Sequence, residues 1–323
     1  MRITGYYLSL IKDFSMKDPI YKLIVPSSEE LISSGVYDTS GEKSNTKIPG
    51  LQHKYRETAL LLLTNRCAAY CRFCFRKRLV GLETKEVLQR FNKALSYIKK
   101  HREINNVLIS GGDPFVLKTK VLDHILGELS QIRHLDFIRF GTRTPVVLPS
   151  RILGDSSLVK TLKRHSRKDK RIYIVTHFNH PSEITGKSTA AVNRILNAGI
   201  IVSNQTVLMK GVNDNHRTLA ALMNRLVGIG VNPYYIFQCR PVKRVKSHFQ
   251  VPFRRGIPII ENARKLLNGH SKRFKFVLSH VTGKIEIIGI KNRKIIFKYH
   301  QAKDRRNLGR IFTRKLDRKI CWP

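Results

Sequence analysis

Carboxylates are scarce in this chain of 323 residues: 22 Asp and Glu stand against 61 Lys and Arg, a formal net charge of +39. Tryptophan occurs once and cysteine five times. No apolar run approaches the ~18 residues of a bilayer-spanning helix, so no membrane span is expected. The opening Met1-Arg-Ile-Thr-Gly-Tyr-Tyr has neither the long apolar stretch nor the small-residue cleavage site of a secretory signal, and a cytoplasmic setting is expected. An odd number of cysteines, three of them crowded between 67 and 74, makes a poor disulfide framework. A metal or cluster site in a reducing compartment fits them better. Hydrophobic residues make up 41% of the chain, enough for a folded body rather than a disordered polycation.

The charge is spread unevenly. Residues 1–50 hold six basic and six acidic side chains, whereas residues 291–323 hold twelve basic and two acidic. Most of the excess lies between these segments. A basic-arm nucleic-acid binder concentrates its charge at one end, so nucleic acid is not the expected partner. Much of the basicity reads as solvated faces. The run from Lys160 to Arg171, for example, has the composition of an exposed helix end and turn.

Six short apolar runs each stop at polar or glycine residues: Leu60–Leu63, Val107–Ile109, Phe137–Phe140, Ile172–Val175, Ile200–Val202 and Tyr234–Phe237. Between them, apolar residues at three- and four-residue spacing predict helices over Val87–Lys100 and Leu122–Ile132. Such alternation predicts parallel β/α units, and six of them suit an α/β fold of the partial (β/α)6 barrel type. Chemistry in such folds gathers just past the strands. The expected organisation is an N-terminal cap at 1–50, the barrel at 51–255, a further segment at 256–290 and a basic C-terminal extension at 291–323. In that extension Ile295–Phe297 is expected to dock as a strand.

Directly after the first run comes Cys67-Ala-Ala-Tyr-Cys71-Arg-Phe-Cys74, with the spacing C-x3-C-x2-C. Three thiolates hold three irons of a 4Fe–4S cluster and leave the fourth open to a ligand, unlike the four-cysteine electron carriers. Structural zinc wants four ligands, and the other nearby thiol, Cys239, follows a different run. On spacing alone, zinc and ordinary reduced thiols stay open as alternatives.

The cysteine run resembles the radical S-adenosylmethionine (SAM) signature. The wider pattern resembles the lysine 2,3-aminomutase family, from about 50 to 255 and more weakly to 290. The matching stretches are His53–Gly81, Ile109–Pro114, Arg139–Pro145, His177–Pro181, Asn204–Leu208 and Gly211–Asp214. The resemblance implies a radical SAM partial barrel whose Cys67, Cys71 and Cys74 hold a 4Fe–4S cluster. Gly111 and Gly112 would let the strand edge approach the methionine part of SAM. Asp113 would orient its amino group, Asn204 and Gln205 would contact SAM, and Asn179-His180 would line the pocket. The resemblance further implies pyridoxal phosphate (PLP), held as a Schiff base by Lys284. Such a lysine must be uncharged when it reacts, which a buried site favours. The family's glycine run before this lysine is reduced to Gly283. Lys54 and Tyr55 fall where the family has an Arg-Tyr pair beside the PLP phosphate, and Thr58 replaces a further arginine.

Arg76 matches the arginine that grips the substrate carboxylate, a task suited to a bidentate guanidinium. Lysine-specific members hold the far ammonium with two aspartates; the counterparts here are Arg240 and Val277. A guanidinium in place of a carboxylate disfavours a cationic side chain. An acidic amino acid, or an acidic group on a larger molecule, is therefore expected in place of free lysine, unless Arg240 faces solvent with Lys243, Arg244 and Lys246. Longer members carry a zinc-binding, oligomer-forming extension; with Cys321 alone after Lys284, no such zinc set is expected here.

The expected function is that of a radical SAM, PLP-dependent isomerase that moves an amino group between adjacent carbons of an amino acid. It would draw electrons from a donor such as flavodoxin or ferredoxin, and a homo-oligomer is compatible with this reading. Two alternatives stand beside it. One is a radical SAM modifier of a protein or RNA without PLP, favoured by the reduced glycine run and the basic surface. The other is a cluster-bearing nucleic-acid binder without catalysis.

Overall fold

The computed structural model describes residues 1–323. All six apolar runs are strands, or end within one residue of a strand, in a twelve-stranded sheet in which every strand pairs with its neighbours in sequence. The strands are β1 (Thr46–Ile48), β2 (Leu51–Tyr55), β3 (Thr58–Thr64), β4 (Asn106–Gly111), β5 (Phe137–Gly141), β6 (Arg171–Thr176), β7 (Ile201–Leu208), β8 (Asn232–Gln238), β9 (Lys275–His280), β10 (Gly283–Lys291), β11 (Lys294–Ala302) and β12 (Ile311–Lys315). Strands β3 to β9 run parallel and form the partial barrel. Their register aligns Ala59, Val107, Ile138 and Ile172 across four strands, all in the core. Near-continuous burial on both faces explains why these runs lack polar alternation.

Six longer helices return the chain between parallel strands: Phe91–Lys100, Thr119–Ser130, Ser156–His165, Gly186–Leu196, His216–Gly228 and Phe253–Lys265. Several start on side-chain caps. Asp155 accepts from the amides of Ser157 and Leu158, and Asn215 from those of Arg217 and Thr218. The first helix begins at Phe91 and not at Val87. The Leu88 amide donates to the Leu62 carbonyl of β3 at 2.7 Å, which ties that residue to the strand in place of a helical turn.

Two further differences concern the C-terminal third. A seventh parallel strand, β9, follows the six that were expected, and β10 to β12 then fold back antiparallel. Ile295–Phe297 lies in β11, with Ile295 and Phe297 fully buried. Among the basic residues from 160 to 171, Lys170 is buried. Its ammonium donates to the Ser130 and Ile132 carbonyls at the end of the Thr119–Ser130 helix, where a cation complements the helix dipole. No helix is long and apolar enough to cross a membrane.

The barrel wall is closely packed. Phe140 on β5 is fully buried, with its ring centroid 5.3 Å from that of Phe115. Phe140→Ala should therefore cost about 3–5 kcal/mol. Urea unfolding should show a lower midpoint at unchanged slope.

Candidate active site

The strands enclose a cavity of about 350 Å³ whose wall includes all three clustered cysteines. The loop that carries them is tied to the N-terminal segment by two buried carboxylates. Glu30 accepts from Arg72 at 2.7 and 2.5 Å and from Lys77 at 2.6 Å. Glu42 accepts from Arg76 at 3.1 Å and from Arg78 at 2.6 Å. A third, Glu183, accepts from Tyr7, from the Asn179 and His180 amides and from Arg143. Arg143 in turn donates to Cys71 Sγ at 2.7 Å. A charged donor of this kind favours the thiolate that metal ligation requires.

The three thiols suit a cluster better than a single ion. Zinc–sulfur bonds of ~2.3 Å bring tetrahedral ligands within about 4 Å of one another. Among His, Cys, Asp and Glu side chains, the set of three whose ligand atoms fall within 4.8 Å is His53, His101 and Glu103, and no set includes the cysteines. The wider spread and the three-thiol donor set fit a multi-iron group with one open position.

Gly111 and Gly112 lie at the cavity wall, but the space a side chain would need is filled by backbone. Gly111 has φ +120°, and a Cβ there would sit 2.3 Å from the Thr64 carbonyl oxygen; at Gly112 it would sit 2.2 Å from that of Arg66. The two glycines let the end of β4 press against the chain just before Cys67. Asp113 also lines the cavity, and its carboxylate accepts from Thr142 Oγ1 and the Arg143 amide at 2.7 Å and from the Phe115 amide at 3.0 Å. It joins the turns after β4 and β5.

Strand alternation separates Asn204 from Gln205. Gln205 lines the cavity, and its side-chain amide has no hydrogen-bond partner in the protein. Asn204 faces the wall, where its amide bonds both backbone groups of Phe178. Asn179 and His180 likewise stay outside the cavity; Asn179 accepts from the Val207 amide. The residue after β6 that enters is His177, which the sequence reading did not single out. Its ring packs edge-on to Phe73 at 5.3 Å, and its Nε2 is buried without a partner. Burial, and then Arg143, push its pKa down to about 3, so the ring is neutral. Its position just past a strand end was the available signal.

Lys54, Tyr55, Arg76, Arg240 and Lys284 all line the same cavity. Lys54 donates to the Ser40 carbonyl at 3.1 Å and the His280 carbonyl at 2.5 Å. Burial, with Arg240 and Lys303 nearby, lowers its pKa to about 8. Burial pushes Tyr55 up to about 12. Lys284, near the start of β10, has its ammonium nitrogen 4.2 Å from the centroid of the Tyr235 ring. Burial, then Arg139, Arg240 and Lys54, pull its pKa down to about 7. The adjacent Gly283 is required by packing, because a Cβ there would lie 2.2 Å from the Gln301 carbonyl oxygen. Arg139 on β5 is a second cavity residue the sequence reading passed over. It donates to Asn106 at 2.7 Å, and its Nε is buried without a partner.

Arg240 turns inward and does not join the exposed Arg244 and Lys246. Its guanidinium lies 4.1 Å from the Phe75 ring centroid and donates to Ser40 Oγ at 2.9 Å. Burial lowers its pKa to about 10, which leaves it charged at neutral pH. Val277 is fully buried in β9, on the same face of the strand as Ser279 but not itself at the cavity wall. The cavity-facing residue of that strand is Ser279, paired with Lys284 across the β9–β10 ladder. That position also lacks a carboxylate.

A family model described as the radical SAM superfamily matches residues 61–223. An Aquifex aeolicus protein named "Putative L-lysine 2,3-aminomutase" is 41% identical over 322 residues, covering 99% of this chain and 86% of its own length. The L-lysine 2,3-aminomutase of Clostridium subterminale is 40% identical, covering 84% of this chain, which spans 64% of that relative's length. The glutamate 2,3-aminomutase of Clostridioides difficile is 38% identical, covering 83% of this chain and 62% of its own. With its SAM-type cysteine loop, its partial barrel and these relatives, the chain belongs to the radical SAM superfamily and, within it, to the 2,3-aminomutase family of isomerases.

Proposed function

We propose that this enzyme uses PLP on Lys284 and SAM at the cysteine cluster to move the amino group of an acidic amino acid between adjacent carbons. The observation that carries this reading is the charge inside the cavity. Lys54, Arg76, Arg139, Arg240 and Lys284 line it with Arg143, and the acidic groups among the lining residues are Glu42 and Asp113. Arg143 is satisfied by Glu183, and Asp113 is spent on the turns beside it. Cations out of water without partners are costly, several kcal/mol each even after relaxation. Anionic ligands relieve that cost, and a phosphate together with two substrate carboxylates is the matching set.

When bound, the reduced cluster with SAM supplies a carbon radical for hydrogen abstraction, and PLP supplies a ring that delocalises the unpaired electron. The chain's own groups do the rest. Cys67, Cys71 and Cys74 would hold the irons, with Arg143 stabilising the Cys71 thiolate. Gln205, with its free amide, and the backbone at Gly111 and Gly112 would border SAM, with Asp113 fixing the turns beside them. Lys284, with its pKa pulled down to about 7, can present the neutral amine that covalent attachment of PLP demands, with Lys54 and Tyr55 beside it. Arg76 would bind the α-carboxylate and Arg240 the carboxylate of the side chain. Phe73, Phe75, Val175 and Val207 give the cavity apolar walls that keep water from a reactive radical.

A glutamate-named relative stands beside the more numerous lysine-named ones, so an acidic substrate lies within the family's range, and membership of an isomerase family favours catalysis over the non-catalytic reading. The test is anaerobic reconstitution with iron and sulfide, followed by reduction with SAM in the presence of glutamate, aspartate or lysine. Deoxyadenosine and a β-amino product should appear faster with an acidic amino acid than with lysine; faster turnover of lysine would overturn the reading.

Two variants sharpen it. Arg240→Asp should reverse the preference towards lysine by at least about tenfold in kcat/KM, since it replaces an attraction with a repulsion. The lowered pKa of Lys284 sets a pH dependence. The neutral amine predominates above about pH 7, whereas an unperturbed lysine stays protonated to above pH 10. Attachment of PLP, trapped with borohydride and located by mass spectrometry, should fall off below pH 7, be half-maximal near pH 7 and vanish in Lys284→Ala.

A further inference from the structure

Arg76 makes hydrogen bonds through two of its three nitrogens. Its Nε donates to Glu42 Oε1 at 3.1 Å, and its Nη1 to Ser110 Oγ at 3.2 Å and the Gly111 carbonyl at 3.3 Å. Its Nη2 has no protein partner, yet it is not among the sealed, unsatisfied buried atoms. The guanidinium is therefore clamped along one edge and at one corner, and it offers its remaining corner to the cavity. The clamp is itself held. The second oxygen of Glu42 accepts from Arg78, which also bonds the half-exposed Glu86 at 2.6 Å, so an ion chain runs from the surface to Arg76.

The backbone that delivers Glu42 is fixed as well. Asp38 accepts from the amides of Ser40, Glu42 and Lys43. Gly41 adopts φ +67°, a left-handed conformation that costs glycine little. Burial pushes the Glu42 carboxyl up, but Arg76, Arg78 and Arg240 outweigh it and keep the group ionised. Neither Glu42 nor its segment belongs to the barrel; 34 residues separate it from Arg76.

We infer that Glu42 is the positioning residue for Arg76: it sets the guanidinium so that Nη2 meets the α-carboxylate of the amino-acid substrate. This rests on the reading of Arg76 as the carboxylate-binding group. Glu42 touches no reacting atom in this account. It acts by removing rotational freedom from Arg76 and by balancing part of the charge that Arg76, Arg78 and Arg240 bring together. A charge-assisted pair at Nε leaves the opposite corner pre-aimed, so less order is lost on binding.

The test uses the reconstituted holoenzyme under anaerobic conditions, with calorimetric affinities for L-glutamate, L-aspartate and L-lysine. The α-carboxamide of L-glutamate serves as the ligand that lacks the gripped carboxylate. Wild type should prefer L-glutamate to its α-amide. Glu42→Gln, which keeps the shape and removes the charge, should weaken L-glutamate at least about tenfold while changing the α-amide little. Glu42→Asp should restore part of the difference. Iron content and SAM affinity should stay at wild-type levels in both variants. A general loss of structure would weaken acid and amide alike, and that outcome would overturn the inference. So would an undiminished preference for the acid in Glu42→Gln when Arg76→Gln abolishes it. If Arg76→Gln also keeps the preference, or if wild type binds none of the three amino acids, the reading of Arg76 fails and the inference falls with it.

Discussion

A guanidinium or ammonium buried at the mouth of a barrel needs a counter-charge. In a chain with 22 acidic residues against 61 basic ones, that counter-charge comes from very few places. Asp18, Glu30, Glu42, Asp113 and Glu183 are the buried acids. Asp18 caps the Pro19–Ile24 helix. The other four hold the working end of the barrel. Glu30 and Glu42 bind alternate cations of the cysteine loop, Glu183 holds Arg143 against Cys71, and Asp113 joins the turns after β4 and β5. The geometry of the thiols thus depends on carboxylates drawn from the N-terminal segment and from two different strand ends.

This distribution divides the cations of the cavity into two kinds. Arg143 is neutralised and hydrogen-bonded, and it serves the scaffold. Arg139, Arg240 and Lys284 have no carboxylate in contact, and Lys54 is met by carbonyl dipoles alone. Such groups lower the stability of the empty protein and raise its affinity for anions. Lys284 yields to its neighbours and gives up its proton near neutrality, whereas Arg240 stays charged at the same depth. The intrinsic basicities of amine and guanidinium account for this division between a group that can lose its proton near neutrality and one that keeps its charge.

The parallel strands were legible because burial on both faces leaves a plain apolar run. Strand β9 was not, since Phe276-Val-Leu278 is short and is followed by Ser279-His-Val-Thr-Gly, which reads as a loop. The spacing of the three cysteines marked a metal site, and the wider pattern around them was needed to favour a cluster over zinc. Glu42 had no such mark: its partner is far away in sequence, and a lone glutamate among polar residues carries no local pattern. For Asn204 and Gln205 the two-residue period of a strand already meant that one of them had to face away. At the glycines after β4, backbone already fills the space that the missing side chains leave, a packing requirement that the sequence alone does not display.

Strand β12 bonds to β11 on one side and ends the sheet on the other. Most of its residues are exposed, and Ile311 is 62% accessible. An open edge with unpaired backbone groups is a template for pairing with another copy of itself. Here the edge carries Arg314 and Lys315, with Lys294 and Lys298 on the neighbouring strand, all exposed. Two such edges brought together would place like charges opposite one another. The basic C-terminal segment thus sets like charge along this open edge, which disfavours edge-to-edge pairing of two chains.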